Sequence, residues 1–509
     1  MELPNSNFGT IDWVIVIVYV FGTVAIGLYV NRYIRNMSDY IVAGRSLRSY
    51  LAVATMVGSE LGLVTVMYSA QKGFTGGFAA FHIGLIAGVV TLIVGITGFI
   101  VVPLREMGVM TIPEFYEKRF SRGVRITGGL LLALSGILNM GLFLKAGAIF
   151  VTGLTGMTDP TSVALVMTVM LALVLVYTIL GGMVSVVITD YIQFVVLSFG
   201  IILASGIAIA KLGWSSIVET VITVHGEAGF NPLVEGSGFG PSYVMWMIFT
   251  AGLVSCAVWQ TAVMRACAAE STEVVKKLYM WSSIGFLIRF MVPQFLGICA
   301  LTYLSMNPAT RSIFFTDSGA PVADAALTLQ AMPVFLSQIL PAGLIGLIGA
   351  GLLAAFMSTH DSYLLCWASV LTHDVVAPAT GDTMSTKARL LLSRVFIVLI
   401  GLFLLVWGLW YDLGQDMWDY MVISGAIYFT GAFALLFLGL YWKRASTTGA
   451  YLAMAAGITA VAGLVPVKNA LGLQALPGEY IGLGATIAAL VLMIAGSVVF
   501  PDKGKTTTD

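Results

Sequence analysis

The chain has 509 residues, of which only 10% are charged, and its 25 basic side chains balance its 25 acidic ones. Soluble proteins average about 25% charged residues. With 59% hydrophobic residues and 56 glycines, this composition is that of a membrane protein. It excludes nucleic-acid binding as the main activity, because the chain has no basic domain or stripe. It also excludes a disulfide scaffold, because four cysteines are too few.

Apolar windows of about 20 residues, the length that crosses about 30 Å of hydrocarbon, recur along the whole chain. The first has no basic segment before it, unlike a signal peptide, and is interpreted as a retained helix. Together the windows predict thirteen transmembrane helices, at 12–30, 50–70, 77–102, 126–153, 160–180, 184–210, 242–264, 278–305, 335–368, 390–410, 418–441, 447–466 and 478–499.

The placement of Lys and Arg indicates the orientation, since both are enriched in cytoplasmic loops. With the N-terminus outside, the inner segments carry nineteen of the 25 basic residues. The outer segments carry only Lys72, Lys211, Arg311 and Lys468. Two more cations, Lys145 and Arg289, lie within spans. We therefore expect an integral protein of the plasma (inner) membrane, with its N-terminus outside and its C-terminal tail, 500–509, in the cytoplasm.

The second span contains the sequence Gly58-Ser59-Glu60-Leu61-Gly62, which places a carboxylate and a hydroxyl between two glycines. An acid at the centre of a membrane helix is unfavourable by about 2.5–3.5 kcal/mol, so it calls for a cation, a substrate or a partner. Broken helices at membrane depth are typical of the binding sites of transporters. The alternative is that the span is misplaced and Glu60 lies at the membrane interface.

The ninth span places Ala355, Ser358 and Thr359 at positions i, i+3 and i+4, so one carbonyl and two hydroxyls share a helix face. Such oxygen ligands suit a hard cation. A cluster of this kind also serves as packing contact between membrane helices, but Asp361 beside it favours an ion site. The sixth span carries another buried acid, Asp190.

With these features the chain resembles the sodium:solute symporter family, which includes transporters of proline, pantothenate, sialic acid, glucose and choline. The resemblance extends from near residue 40 to near residue 450. It rests on Tyr40–Arg45, Thr111–Phe120, Gly181-Gly182 with Thr189-Asp190 and Gln193, Trp259-Gln260 with Arg265, Met357–Thr359 with Leu364-Leu365, and Leu438–Arg444. The segments His360-Asp361-Ser362 and Trp259-Gln260 lean toward the choline-like, amine-transporting branch.

The resemblance implies an all-α polytopic membrane protein with a LeuT-like core of two inverted five-helix repeats. All of 1–509 would form a single transmembrane transporter domain. Its parts would be an extra first helix at 12–30, a first repeat at 50–210, an inverted second repeat at 242–441, and two C-terminal helices at 447–499.

The resemblance also implies where sodium binds. The main site would use backbone oxygens of Gly58, Leu61 and Ala355 with the hydroxyls of Ser358 and Thr359. A second sodium site, present in some members, would use Asp190, Ser358, Asp361 and Ser362. Here the chain departs from the family, in which a serine is common at position 361. Asp361 would strengthen a cation site, hold a proton or form an internal ion pair.

For the substrate, the resemblance implies contacts from the second span and from the interrupted helix of the opposite repeat. Glu60, Trp259 and a neighbouring aromatic suggest a cationic or zwitterionic solute held by charge and by cation–π contact. Alternatively Glu60 pairs with Lys145 or Arg289, which leaves a neutral or anionic substrate. The candidate substrate residues are Ser59, Glu60, Thr65, Lys145, Trp259 and Gln260.

These observations predict a sodium-coupled symporter that imports a small polar organic solute by alternating access. The expected partners are the solute, sodium and the lipid bilayer, with a monomer as the functional unit, no nucleic acid and no cofactor beyond the coupling ion. A proton-coupled symporter of the same fold and a solute-sensing transceptor are the alternatives. The sequence contains no catalytic constellation, so an enzyme is not expected.

Overall fold

The computed structural model describes residues 6–30, 45, 47–157, 159–234 and 238–502. Within these ranges the chain is helical, and its only β-type pairings are two isolated bridges, Leu47 with Ala269 and Phe315 with Pro321. The helices are α1 (Thr10–Val30), α2 (Ser49–Glu60), α3 (Leu63–Gly76), α4 (Phe81–Thr97), α5 (Val101–Glu106), α6 (Ile112–Arg119), α7 (Arg122–Asn139), α8 (Phe143–Thr155), α9 (Pro160–Leu212), α10 (Trp214–His225), α11 (Pro241–Trp246), α12 (Ser255–Val258), α13 (Gln260–Ala268), α14 (Thr272–Met306), α15 (Pro308–Phe314), α16 (Ala325–Ile339), α17 (Leu344–Val370), α18 (Ala377–Ala379), α19 (Thr386–Trp410), α20 (Met417–Tyr441), α21 (Thr447–Ile458), α22 (Val465–Leu471) and α23 (Gly478–Val499).

Short irregular helices connect several of these elements. The 3₁₀ turns are Gly77–Ala80, Met140–Leu142, Gly226–Gly229 and Thr459–Gly463. Two π-helical segments, Met247–Val254 and Leu371–Val376, precede α12 and follow α17. Since π turns are rare and concentrate at functional sites, they indicate where the helix packing is specialised.

In the described part of the chain, nine helical runs are long and apolar enough to cross a membrane, and four shorter apolar helices accompany them. The protein is therefore an integral membrane protein, while the count of thirteen spans stays a prediction. The apolar stretches of α17 and α20 are 83% buried inside the protein, whereas that of α19 is only 28% buried. Helices α17 and α20 therefore lie at the centre of the protein, and α19 lies at its periphery.

The predicted ninth span, 335–368, begins later in the structure. Helix α16 ends at Ile339, and α17 starts at Leu344. The intervening turn contains Pro341, and Gly343 adopts a positive φ of 84°, a backbone conformation that favours glycine. Proline and glycine together end one helix and redirect the chain into the next.

The predicted fifth and sixth spans, 160–180 and 184–210, form one helical run, α9, of 53 residues. A straight helix of that length would extend about 80 Å, far beyond the hydrocarbon layer. Both ends of α9 instead lie near residues 337–339. Lys211 Nζ donates to Ile339 O at 2.6 Å, while Ser6 and Asn7 connect the end of α8 to Ser337. This is compatible with two oppositely directed spans, which stay a prediction.

Helix α1 is attached to the centre of the protein by a buried carboxylate. Asp12 accepts hydrogen bonds from the backbone N–H groups of Gly343 and Gly346, at 2.8 and 2.7 Å, at the start of α17. It also accepts the N–H of Gly9 and so caps its own helix. A carboxylate is favoured at a helix N-terminus because it satisfies free N–H groups and faces the positive end of the helix dipole.

Candidate substrate and sodium sites

The second span is interrupted where the sequence predicts. Helix α2 ends at Glu60, and α3 begins at Leu63. The Glu60 carbonyl, released from helical pairing, accepts hydrogen bonds from Thr65 Oγ1 at 2.7 Å and from Arg289 Nη1 at 3.0 Å. The C-terminus of one half-helix and the N-terminus of the other therefore meet inside the protein, which places backbone oxygens and N–H groups at membrane depth.

Helix α17 packs directly against this interruption. Thr359 Oγ1 donates to the carbonyl of Ser59 at 3.3 Å and to that of Ala355 at 3.0 Å. A β-carbon added at Gly62 would lie 2.0 Å from Thr359 Oγ1, so only glycine permits this approach. The structure thus brings the residues predicted for the main sodium site to one place, in the buried contact between α17 and the α2–α3 break. Those residues are Gly58, Leu61, Ala355, Ser358 and Thr359.

A cavity of about 1060 Å³, part of it open to solvent, lies beside the same interruption. Four of the six predicted substrate residues line it: Ser59, Glu60, Thr65 and Trp259. Trp259 lies at the break between α12 and α13, and its Nε1 donates to the Tyr363 hydroxyl at 3.0 Å. The interruptions of the two predicted repeats therefore face one cavity.

Lys145 and Gln260 do not line this cavity. Lys145 Nζ donates to the carbonyl of Tyr411 at 2.6 Å. Gln260 Oε1 accepts the backbone N–H of Ile112 at 3.1 Å and so holds the start of α6. Both are anchoring contacts between helices.

Glu60 pairs with Arg289, the second of the two partners that the sequence left open. Arg289 Nη1 lies 2.9 Å from Glu60 Oε2, and Thr261 Oγ1 donates to Glu60 Oε1 at 3.0 Å. The side chains of the ion pair are only 9% and 10% exposed. The carboxylate of Glu60 therefore lines the cavity with its negative charge balanced by Arg289.

Two polar atoms on the cavity wall are buried and have no hydrogen-bond partner within the described chain: Arg289 Nε and Asn139 Oδ1. The guanidinium of Arg289 lies over the rings of Phe286 and Phe290, at 4.2 and 4.6 Å from their centroids. The Asn139 amide nitrogen donates to the Met421 carbonyl at 2.6 Å, which fixes the orientation of the amide. Two residues of the cavity wall therefore keep a buried donor and a buried acceptor that no group of the described chain uses.

Three aromatic rings of the cavity wall pack against one another. Tyr68 and Trp418 lie 5.0 Å apart between ring centroids, and Phe290 lies 5.4 Å from Trp418. One turn beyond Tyr68, Lys72 Nζ contacts Asp416 at 2.9 Å and Asp419 at 3.0 Å. We call this ion-paired group, Lys72 with Asp416 and Asp419, the outer clasp, because the predicted topology places it on the outer side.

The residues predicted for a second sodium site have a different neighbour. Asp190 lies in α9, but its side chain is outside the described residues. Asp361 and Ser362 are buried on α17. Arg265, only 2% exposed, donates from Nη2 to Ser362 Oγ at 3.2 Å and also to Ser59 Oγ.

A further polar cluster joins α6 and α7 to the π segment Leu371–Val376. Arg125 Nε contacts Asp374 Oδ1 at 3.0 Å, and Thr111 Oγ1 donates to the same oxygen at 2.9 Å. Arg125 Nη1 also contacts Glu117. Arg125, one of the basic residues from which the inner side is predicted, therefore also connects helices.

Glu114, near the start of α6, lies beside this cluster. Burial works to raise the pKa of Glu114, but the His373 ring 3.9 Å away, the hydrogen bond from the Met110 N–H and nearby Lys118 outweigh it and lower the pKa. The carboxylate therefore stays ionised at neutral pH, where it caps the N-terminal turn.

Comparison with known proteins shows the family to which the chain belongs. Residues 40–457 match the profile of the sodium:solute symporter family. The chain belongs to this family. It is 25% identical to a sodium/glucose cotransporter of Vibrio parahaemolyticus over 90% of this chain and 86% of that one. It is 24% identical to a sodium/sialic acid symporter of Aliivibrio fischeri over 90% and 88%, and 25% identical to a human sodium/myo-inositol cotransporter over 88% and 66%.

Solved structures confirm the LeuT-like fold. A sodium-coupled sialic acid symporter in a substrate-bound outward-open state superposes with a TM-score of 0.79 at 20% identity, over 98% of this chain and 100% of that one. The transporter MhsT, in complex with L-phenylalanine, gives 0.53 at 15% identity over 89% and 98%. For this symporter, sodium-coupled solute transport is the activity that the family and the named relatives support. The lean toward the choline-like branch remains a prediction.

Proposed function

We propose that this symporter imports a small organic solute together with sodium by alternating access, with sodium at the contact between α17 and the α2–α3 break. The observation that carries the proposal is the position of Thr359, whose hydroxyl reaches the Ser59 carbonyl at the break and the Ala355 carbonyl on its own helix. A cation at this point would draw the same oxygens together. It would thereby fix the segment that also forms the cavity wall.

We further propose that the solute carries an anionic or strongly accepting group, such as a carboxylate, and a separate hydroxyl or amine. Arg289 Nε would donate to the former, and Asn139 Oδ1 would accept from the latter. Aromatic rings would cover the apolar part between them. Because Arg289 already matches the charge of Glu60, a purely cationic solute finds no surplus negative charge at this pair.

The sodium site is tested by uptake or binding measured against sodium concentration. Ser358→Ala and Thr359→Ala are expected to raise the half-saturating sodium concentration about tenfold or more, since a hydrogen bond to a charged group contributes about 1.5–3 kcal/mol. Thr152→Ala is the matched control, because Thr152 is also buried and also donates to the carbonyl four residues earlier. An unchanged sodium dependence in both test variants would contradict the site. Uptake driven by a pH gradient without sodium would favour the proton-coupled alternative.

The solute class is tested by protection of a cysteine. Cys256 lines the cavity, whereas Cys267, Cys299 and Cys366 are buried. Hydroxy- and amino-carboxylates are expected to slow maleimide labelling of Cys256 in the presence of sodium. Their uncharged amide analogues and choline are the controls. Cys256→Ala should remove the labelling itself. Protection by choline but not by carboxylates would contradict the proposed solute.

A further inference from the structure

A buried arginine lies against Ser362, one of the residues that the family resemblance implies for a second sodium ion. Arg265, on α13, extends between α2 and α17 and donates to hydroxyls on both. Its Nη2 contacts Ser59 and Ser362, and its Nε donates to Thr55 Oγ1 at 3.3 Å. Its Nη1 donates to the Thr261 carbonyl at 3.1 Å. The guanidinium is thus held by oxygens from three helices.

One of these contacts uses an oxygen that a second sodium ion would need. Ser362 Oγ, one of the predicted ligands, accepts from Arg265 at 3.2 Å and lies 3.3 Å from Ser59 Oγ. A hard cation binds oxygen at roughly 2.3–2.6 Å, so an ion on Ser362 would lie within about 6 Å of the guanidinium. In a water-poor interior two like charges at that separation repel strongly.

We infer that the guanidinium of Arg265 takes the place of a second sodium ion, so that this symporter binds a single sodium ion, at the main site. The inference rests on the proposed function. A second sodium ion would have to enter and leave in each transport cycle, whereas the guanidinium of Arg265 is part of the chain and brings its positive charge with it. The coupling therefore uses one mobile cation and one fixed cation.

Ser59 connects the two cations. Its hydroxyl accepts from Arg265, and its carbonyl accepts from Thr359, one of the residues proposed to hold sodium. Ser59 also lies next to Glu60, the last residue of α2. Arg265 is thus a positioning residue, which holds the end of α2 in the orientation that the sodium site uses.

The inference is tested by equilibrium binding of radioactive sodium to the purified full-length protein in lipid nanodiscs. The wild type is expected to bind one ion per chain with a Hill coefficient near one. Ser358→Ala should weaken this binding about tenfold or more, since the ion loses a contact with a hydroxyl dipole. Ser362→Ala is the matched serine on the same helix, and it should bind one ion with nearly unchanged affinity.

Two ions bound to the wild type, or loss of sodium binding in Ser362→Ala, would overturn the inference and leave the proposed function standing. A wild type that binds no sodium would overturn the proposed function as well. Arg265→Ala supplies a second measurement: when folded, it is expected to bind a second, weaker sodium ion, and a folded variant that binds only one would also count against the replacement. If this variant does not fold, the wild type and Ser362→Ala decide the question.

Discussion

The ion pair between Glu60 and Arg289 makes a quantitative prediction about stability. Its charged atoms lie 2.9 Å apart, and neither side chain is more than 10% exposed. Two unit charges about 4 Å apart attract by about 4 kcal/mol at an effective dielectric constant of about 20. Removing one member of a buried pair destabilises a protein by about 3–5 kcal/mol, because the remaining charge stays buried and unmatched. We therefore expect Glu60→Gln to lose about 3–5 kcal/mol of folding free energy.

A double variant separates the pair from the individual side chains. Glu60→Gln with Arg289→Met removes both charges while it keeps the approximate volumes. Replacement of a whole buried pair by uncharged residues is often neutral, so the double variant is expected to lose less stability than either single variant. The control is Lys277→Gln, which breaks a pair of 2.7 Å whose side chains are 50% and 75% exposed and should leave stability unchanged.

The assay is unfolding of the purified protein without solute, followed by a thiol-reactive dye. Cys267, Cys299 and Cys366 are buried in the folded protein and become reactive when it unfolds. If Glu60→Gln unfolds at the same temperature as the wild type, the pair does not carry the stability assigned to it. A double variant as unstable as the sum of the single ones would also refute the reasoning, because it would show no coupling between the two charges.

Two further predictions concern the sodium site and the outer clasp. Gly62→Ala would place a methyl group 2.0 Å from Thr359 Oγ1, so Thr359 must move by more than 1 Å and sodium affinity should fall at least about tenfold. Gly206→Ala, where no atom lies within 4 Å, is the control, and equal sodium affinity in both variants would contradict the predicted site. Lys72→Gln removes the cation shared by the two acids of the clasp, and it should speed labelling of Cys256 by a membrane-impermeant thiol reagent added outside. An unchanged labelling rate would show that the clasp does not control access.

The sequence predicts the fold class and the interrupted second span because both depend on local signals. Hydropathy identifies most of the long helices, and Glu60 between glycines marks the break. The sequence does not identify the ion-pair partner of Glu60. Lys145 and Arg289 are both lone cations inside spans, and only the packing of α14 against the break, 229 positions along the chain, decides between them.

Lys72 shows a second limit of sequence reasoning. The second span is predicted to end at residue 70, so Lys72 counts as an outer-segment charge, yet α3 continues to Gly76 and buries the lysine. Asp416 and Asp419, more than 340 positions later, provide the counter-charges for the buried lysine. The sequence also does not identify Asn139 as a residue of the cavity wall. No local signal shows that an amide within an apolar helix faces a cavity.

The carboxylate of Asp12 also affects the order of assembly. Helix α1 is synthesised early, but the N–H groups that Asp12 binds belong to Gly343 and Gly346, which follow 331 and 334 residues later. At about 5–20 residues per second, the ribosome takes roughly 15 s to 1 min to supply them. Until then the carboxylate must remain in contact with water at the membrane surface. The first helix is therefore inserted early but fixed late, and α17 completes the attachment when it arrives.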